Sequence, residues 1–103
     1  MNSMKTIKEK FTRQGYESTL IERNEHCAIY ERKDVSSRVV HFEVVRIKKH
    51  THVRQIGEYT SNIGDEYLPS DNQWGTHGWT IPNYDRAKQK FDEVTQLVIS
   101  KLN

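Results

Sequence analysis

The apolar residues of the last twenty positions constrain the fold of this chain most strongly. Six of them recur at steps of three or four residues: Tyr84, Ala87, Phe91, Val94, Val98 and Leu102. This spacing places all six on one stripe of an α-helix. Pro82 interrupts a preceding strand, and Asn83 is a favoured N-cap residue. The sequence therefore predicts a helix of roughly five turns that begins after Asn83 and packs its stripe on another layer.

The segments before this helix have the composition of strands. Residues 16–23, 26–32 and 38–48 are rich in strand-forming residues, and turn formers separate them. We predict a further strand over about 52–60 and a short one over 78–81. Because strands joined by short turns pair antiparallel, the predicted fold class is α+β. It has two layers, with an antiparallel meander sheet of four to five strands packed by the long C-terminal helix.

The N-terminal part of the chain predicts a short helix over residues 4–14. Met4, Ile7 and Phe11 are spaced at three and four residues, and Gly15 is suited to end a helix. With 103 residues and no linker or repeat, the chain is predicted to be one domain over 1–103.

The apolar pattern within 38–48 changes parity. Val40, Phe42 and Val44 share one face of the strand, whereas Val45 and Ile47 share the other. Either a bulge re-aims the strand or both faces are covered near its end.

Composition restricts the location and the partners. The net charge is +2, which is too small to indicate nucleic-acid binding by itself. Cys27 is the single cysteine, which excludes an internal disulfide, and its strand position predicts a buried thiol. The sequence contains no apolar run of about 20 residues and no apolar N-terminal signal region, so we expect a cytoplasmic protein without membrane contact.

The sequence contains no recognisable combination of a nucleophile, a general base and an orienting group, so we expect no enzyme activity and no cofactor. His50 and His52 share one side of a strand and would supply half of a metal site, with His77, Glu66 or Asp65 as a third ligand. Nothing in the spacing requires that ligand, and we predict no metal. A metal-dependent enzyme stays the weakest alternative.

A basic segment provides the best nucleic-acid feature of the sequence. If residues 46–54 form one strand, one side of it would present basic groups over roughly 27 Å, enough to follow a phosphate backbone. These groups are Arg46, Lys48, His50, His52 and Arg54, with Lys49 on the opposite side. Ordinary solvent exposure of a strand face is the alternative reading.

The segment 66–87 contains both tryptophans of the chain. Ser70 and Gln73 have capping-box spacing, and Gly75 is suited to a left-handed helix end, so 70–75 is predicted to be one helical turn that presents Trp74. Trp74 and Trp79 either pack at the edge of the core or provide a partner- or base-stacking site.

Two resemblances rest on this segment. Trp74-Gly75-x-x-Gly78 followed by a strand and a helix resembles the WGR domain of poly(ADP-ribose) polymerases, which implies an antiparallel sheet, a helix and nucleic-acid binding. The arginine that this family has after Trp-Gly is Thr76 here. The longer pattern ExxPSxxxWGxxGWT, which begins at Glu66, resembles short bacteriophage and mobile-element proteins and implies a small accessory protein without catalytic residues.

The sequence thus favours a small non-enzymatic interaction module, a phage or mobile-element accessory protein in the host cytoplasm. We expect it to bind a protein partner, with inhibition of a host function as one role. The alternative is a nucleic-acid-binding domain that uses the segment 46–54 and the Trp-Gly loop. Segregation of basic residues in 46–54 from acidic residues in 58–71 would also support a homo-oligomer.

Overall fold

The computed structural model describes residues 5–51, 53–56, 59–69 and 73–102. Within these ranges the chain forms short and long strands followed by one α-helix. The elements are β1 Lys10–Arg13, β2 Tyr16–Arg23, β3 Cys27–Asp34, β4 Val40–Arg46, β5 Lys48–Lys49, β6 Arg54–Ile56, β7 Tyr59–Ser61, β8 Glu66–Tyr67, β9 Gly78–Ile81 and α1 Tyr84–Leu102.

Five of these strands form the main sheet, in the order β1-β2-β3-β4-β9 with every neighbouring pair antiparallel. Gln14 and Gly15 join β1 to β2 with positive φ angles of 52° and 81°, the backbone of a tight two-residue hairpin. At the next turn the Asn24 side chain accepts hydrogen bonds from the backbone amides of His26 and Cys27. Asn24 therefore stabilises a turn between the strands predicted over 16–23 and 26–32.

The helix α1 covers one face of the sheet, which we call the helix face. Asn83 caps α1 as predicted, because its Oδ1 accepts a 2.9 Å hydrogen bond from the amide of Arg86. Ala87, Phe91 and Val94 are buried against the sheet residues Cys27, Ile29 and Val44. The predicted two-layer α+β fold, with an antiparallel sheet and a long C-terminal helix, is confirmed.

The opposite side of the sheet, which we call the second face, is also covered. Ala28, Tyr30 and Val45 are buried there with Ile7 from the N-terminal segment. Val44 and Val45 thus belong to different core clusters on the two faces. This finding explains the parity change in the sequence, since both faces are covered near the end of β4.

Polar contacts fix the segments that cover the second face. The Glu66 carboxylate accepts two hydrogen bonds from the Arg23 guanidinium, at 2.7 and 2.8 Å, and one from the amide of Ile7 at 3.2 Å. The Asp65 carboxylate accepts hydrogen bonds from the amides of Lys5 and Asn62. Residues 5–7 and 65–66 are therefore joined to each other and to β2.

Two predicted elements are wrong. The short N-terminal helix over 4–14 is not formed, because residues 10–13 are the edge strand β1. Ile7 and Phe11 nevertheless both contact the second-face core, since a spacing of four also places two strand residues on one side. A single strand over 52–60 is not formed either. Residues 54–56 and 59–60 belong to the separate ladder of β6 and β7, and β9 occupies the place beside β4.

No helix in the described ranges is both long enough and apolar enough to cross a membrane.

Candidate functional site

The basic segment 46–54 does not form one continuous strand. β4 ends at Arg46, and the amide of Ile47 donates a hydrogen bond to the carbonyl of His26. Lys48 and Lys49 then pair with Tyr67 and Glu66, and β6 begins only at Arg54. His52 lies outside the described residues, as does the position of the Arg54 side chain. The described part of this segment therefore lacks the extended row of cations on which the nucleic-acid alternative was based.

Two members of the segment are engaged within the chain. The Lys49 ammonium lies 3.7 Å from the Glu25 carboxylate, and the His50 ring stacks on Tyr67 with 4.3 Å between ring centroids. The amide of His50 also donates to the carbonyl of Asp65. Basic and acidic segments thus contact each other inside one molecule, which weakens the argument from charge segregation for a homo-oligomer.

A smaller basic cluster remains at the end of the sheet. The amide of Arg46 donates a 2.8 Å hydrogen bond to the carbonyl of His77. Burial, together with the positive charges of Lys48, Arg46 and Lys101, lowers the pKa of His77 and so favours its neutral imidazole. Among the described residues, no carboxylate forms a salt bridge with Arg46, Lys48 or Lys101.

Trp74 lies against the edge strand β9 and is half-buried. A Cβ atom built on Gly78 would lie 2.5 Å from Trp74 Cζ3, so the indole ring rests directly on the backbone of Gly78. The indole Nε1 donates a 2.9 Å hydrogen bond to the Thr80 hydroxyl. Gly75 has the predicted left-handed conformation, with φ of 92°, and its amide donates to the carbonyl of Gly78. Residues 70–72, the first half of the predicted helical turn over 70–75, lie outside the described residues.

Trp79 lies on the helix face, the opposite face from Trp74. It packs against the core cluster that contains Phe91, and the Lys90 ammonium lies 4.6 Å from the centroid of its ring. Both tryptophans are therefore partly structural, and each retains an exposed fraction.

The two tryptophans line one open groove between β9 and α1, which we call the Trp groove. Its walls are the edge strand on one side and the outer flank of the helix on the other. The lining residues are Trp74, Gly75, Trp79, Thr80, Ile81, Pro82, Arg86, Gln89, Lys90 and Glu93. The structure thus brings together the two sequence-predicted tryptophans but separates them from Lys49 and His50.

The charge of the Trp groove was not anticipated from the sequence. Arg86 and Lys90 supply two positive charges, and Glu93 is the one acidic residue of the lining. The signal was present, because positions 86, 90 and 93 follow a second helical stripe beside the apolar one. Such a stripe does not indicate a binding site by itself, because charged residues beside an apolar stripe are the normal solvated face of a helix.

The described residues contain no group of three histidine, cysteine or acidic side chains placed to hold a metal ion. Cys27 is fully buried, and burial raises the pKa of its thiol. The predicted buried thiol is therefore confirmed.

Fold and groove together define a small α+β domain with an aromatic, basic groove at one edge of its sheet. Comparison of the chain with protein-family models, curated proteins and solved structures finds no match.

Proposed function

We propose that this chain is a small non-enzymatic interaction module that binds a protein partner in the Trp groove. One observation carries the proposal: Trp74 and Trp79 line the same open groove beside Arg86 and Lys90. Tryptophan and arginine are the side chains most enriched among residues that dominate protein–protein binding energy. The positive charges favour a partner segment that combines carboxylates with apolar side chains.

The state of the two indole rings favours a protein over stacked bases. One face of Trp74 lies on Gly78, and the Lys90 ammonium lies over Trp79. A base that stacked on either ring at these positions would have to displace an existing contact. A protein side chain can instead contact the exposed edges of the rings and the aliphatic parts of Arg86 and Lys90.

The accessory role comes from the resemblance to bacteriophage and mobile-element proteins. This resemblance supports a protein that acts in the host cytoplasm, where it would bind a host protein and inhibit it. No described feature of the fold depends on this role.

Affinity capture from a nuclease-treated bacterial lysate tests the groove. Arg86→Glu with Lys90→Glu reverses its charge, and Lys8→Glu with Arg38→Glu is the matched control, because both control residues are exposed and lie elsewhere. We expect a specific protein to be retained by the parent and by the control, and lost with the groove variant. Retention by all three proteins would contradict the proposal.

The second candidate function is nucleic-acid binding, which the basic cluster of Arg46, Lys48 and Lys101 favours. If these groups contact phosphates, the logarithm of the affinity falls linearly with the logarithm of salt concentration. Arg46→Glu with Lys48→Glu would weaken binding to all sequences alike and reduce that slope. The absence of DNA and RNA binding by the parent at low salt would end this alternative.

A further inference from the structure

The second face of the sheet contains a cavity of about 110 Å³. Trp74 is the one residue that lines both this cavity and the Trp groove. Its floor comes from β2, β3 and β4, and its rim from β1, the segment after β8 and Trp74. The lining residues are Phe11, Arg13, Gln14, Tyr16, Ser18, Tyr30, Arg32, Glu43, Val45, Leu68, Pro69 and Trp74.

The Arg32 guanidinium is held in a fixed position on the cavity floor. Its Cζ lies 3.8 Å from the centroid of the Tyr16 ring, and its Nε lies 3.5 Å from Oε1 of Glu43. Among the described residues, its two terminal nitrogens have no hydrogen-bond acceptor. Stacking and the ion pair therefore orient the guanidinium and leave its terminal edge available to an acceptor in the cavity.

Ser18 adds a second polar group to the cavity lining. The residue is only 4% exposed, and it pairs with Arg32 across β2 and β3, so both side chains point from the same face. A hydroxyl that lines a cavity is suited to bind a polar atom that enters it.

The rest of the cavity is aromatic and apolar. Phe11 and Tyr30 meet edge to face with 5.4 Å between ring centroids, and Leu68 and Trp74 close the rim. Burial raises the pKa of Tyr30 to about 12, and its hydroxyl donates a 2.6 Å hydrogen bond to the carbonyl of Lys8. Tyr30 is therefore neutral and places no negative charge near an entering anion.

We propose that this cavity binds a small organic carboxylate, with its carboxylate on Arg32 and Ser18 and its apolar body against Phe11, Tyr30 and Trp74. Arg13 and Arg32 are the basic residues of the lining, and Glu43 is its acidic residue. The cavity of about 110 Å³ is smaller than the roughly 150 Å³ that encloses a benzene ring, so part of a bound ring would extend through its open side. The site shares Trp74 with the Trp groove, whereas Arg32 and Ser18, which would bind the carboxylate, do not line that groove.

Benzoate is the probe for this site, and benzamide is the matched neutral compound of the same shape. Binding is followed by backbone amide chemical shifts of the full chain in a titration. We expect saturable shifts at cavity residues with benzoate, with a Kd of about 1 mM or tighter, and at least ten-fold weaker binding of benzamide. Equal affinity for the two compounds, or shifts that do not saturate, would overturn the proposal.

Two variants test the residues. Arg32→Gln removes the positive charge and should weaken benzoate binding at least ten-fold, and Ser18→Ala should weaken it several-fold. Arg38→Gln removes an exposed arginine outside the cavity and should leave the affinity unchanged. Unchanged benzoate affinity in folded Arg32→Gln would also overturn the proposal. If that variant fails to fold, the comparison of benzoate with benzamide on the parent chain decides the question.

Discussion

The indole ring of Trp74 occupies the space that a Cβ atom of residue 78 would need, with 2.5 Å between Trp74 Cζ3 and a Cβ built on Gly78. This contact couples the loop before β9 to the edge of the sheet. The contact also explains why position 78 is a glycine. Gly78 does not have a positive φ angle, so its backbone conformation does not require glycine. Close approach of a ring, rather than backbone conformation, requires glycine there.

The coupling predicts a non-additive pair of substitutions. Gly78→Ala should destabilise the parent by about 1–3 kcal/mol, because the added methyl group overpacks against Trp74. In a Trp74→Ala background the same substitution should cost close to nothing. Chemical denaturation of the two single variants and the double variant measures the coupling free energy. Additive costs would show that the ring does not restrict residue 78.

The packing of α1 on the sheet predicts the effect of Phe91→Ala. Phe91 is only 4% exposed and lies in the core cluster with Cys27 and Val44, so its truncation should cost about 3–5 kcal/mol. For a domain of this size that is a large share of the free energy of unfolding. The control is Leu97→Ala on the same helix, which is 54% exposed and should change stability by only about 0.5 kcal/mol. Equal melting temperatures of the two variants would contradict the observed orientation of α1.

The ion pair between Glu66 and Arg23 predicts a dependence of stability on pH. The hydrogen bonds from Arg23 hold the pKa of the Glu66 carboxyl below its ordinary value of 4.5. A group whose pKa is depressed by folding stabilises the folded state above its unfolded pKa, and that contribution is lost as pH falls through the folded pKa. The free energy of unfolding should therefore decrease as the pH is lowered from about 5 to below 4.

A substitution separates this pair from the other carboxylates. Glu66→Gln should reduce the acid dependence and cost about 1.5–3 kcal/mol at neutral pH, because Arg23 loses a charged partner. Glu93→Gln, at an exposed position of α1, is the matched control and should retain the full dependence. The measurement is denaturant unfolding at a series of pH values, and an unchanged pH profile in Glu66→Gln would rule out this pair as its source.

Much of the fold was predictable from local patterns. The strand expected over 16–23 is β2, the strand expected over 78–81 is β9, and the helix begins after Asn83 as its cap and apolar spacing predicted. In these segments one periodicity agrees with the turn or cap residues beside it, so the pattern has one interpretation.

The errors fall where a pattern fits two structures. A spacing of four between Ile7 and Phe11 suits either a helix or one side of a strand. The chain forms a strand here because the hairpin at Gln14 and Gly15 pairs residues 10–13 with β2. The prediction of one continuous strand over 46–54 was wrong for a different reason. Its pairing with β8 and its break at Ile47 depend on residues far along the chain, which local alternation does not report.

The candidate site was predictable in its residues but not in its arrangement. Trp74 and Trp79 were identified as the aromatic pair, and the structure places them on opposite faces of the sheet at one edge. Arg86 and Lys90 join them only because α1 runs beside β9, a tertiary contact. The cavity around Arg32 likewise needs four strands and the rim segment to be assembled before it exists.

The position of β9 beside β4 has a consequence for how the domain folds. β1 to β4 pair through turns of a few residues, so their ladders join parts of the chain that are close in sequence. β9 pairs with β4 only after the chain between Arg46 and His77 has left the sheet and returned, which costs more loop-closure entropy. We therefore expect the meander to form early, and the step that aligns β9 and brings α1 onto the helix face to limit the folding rate.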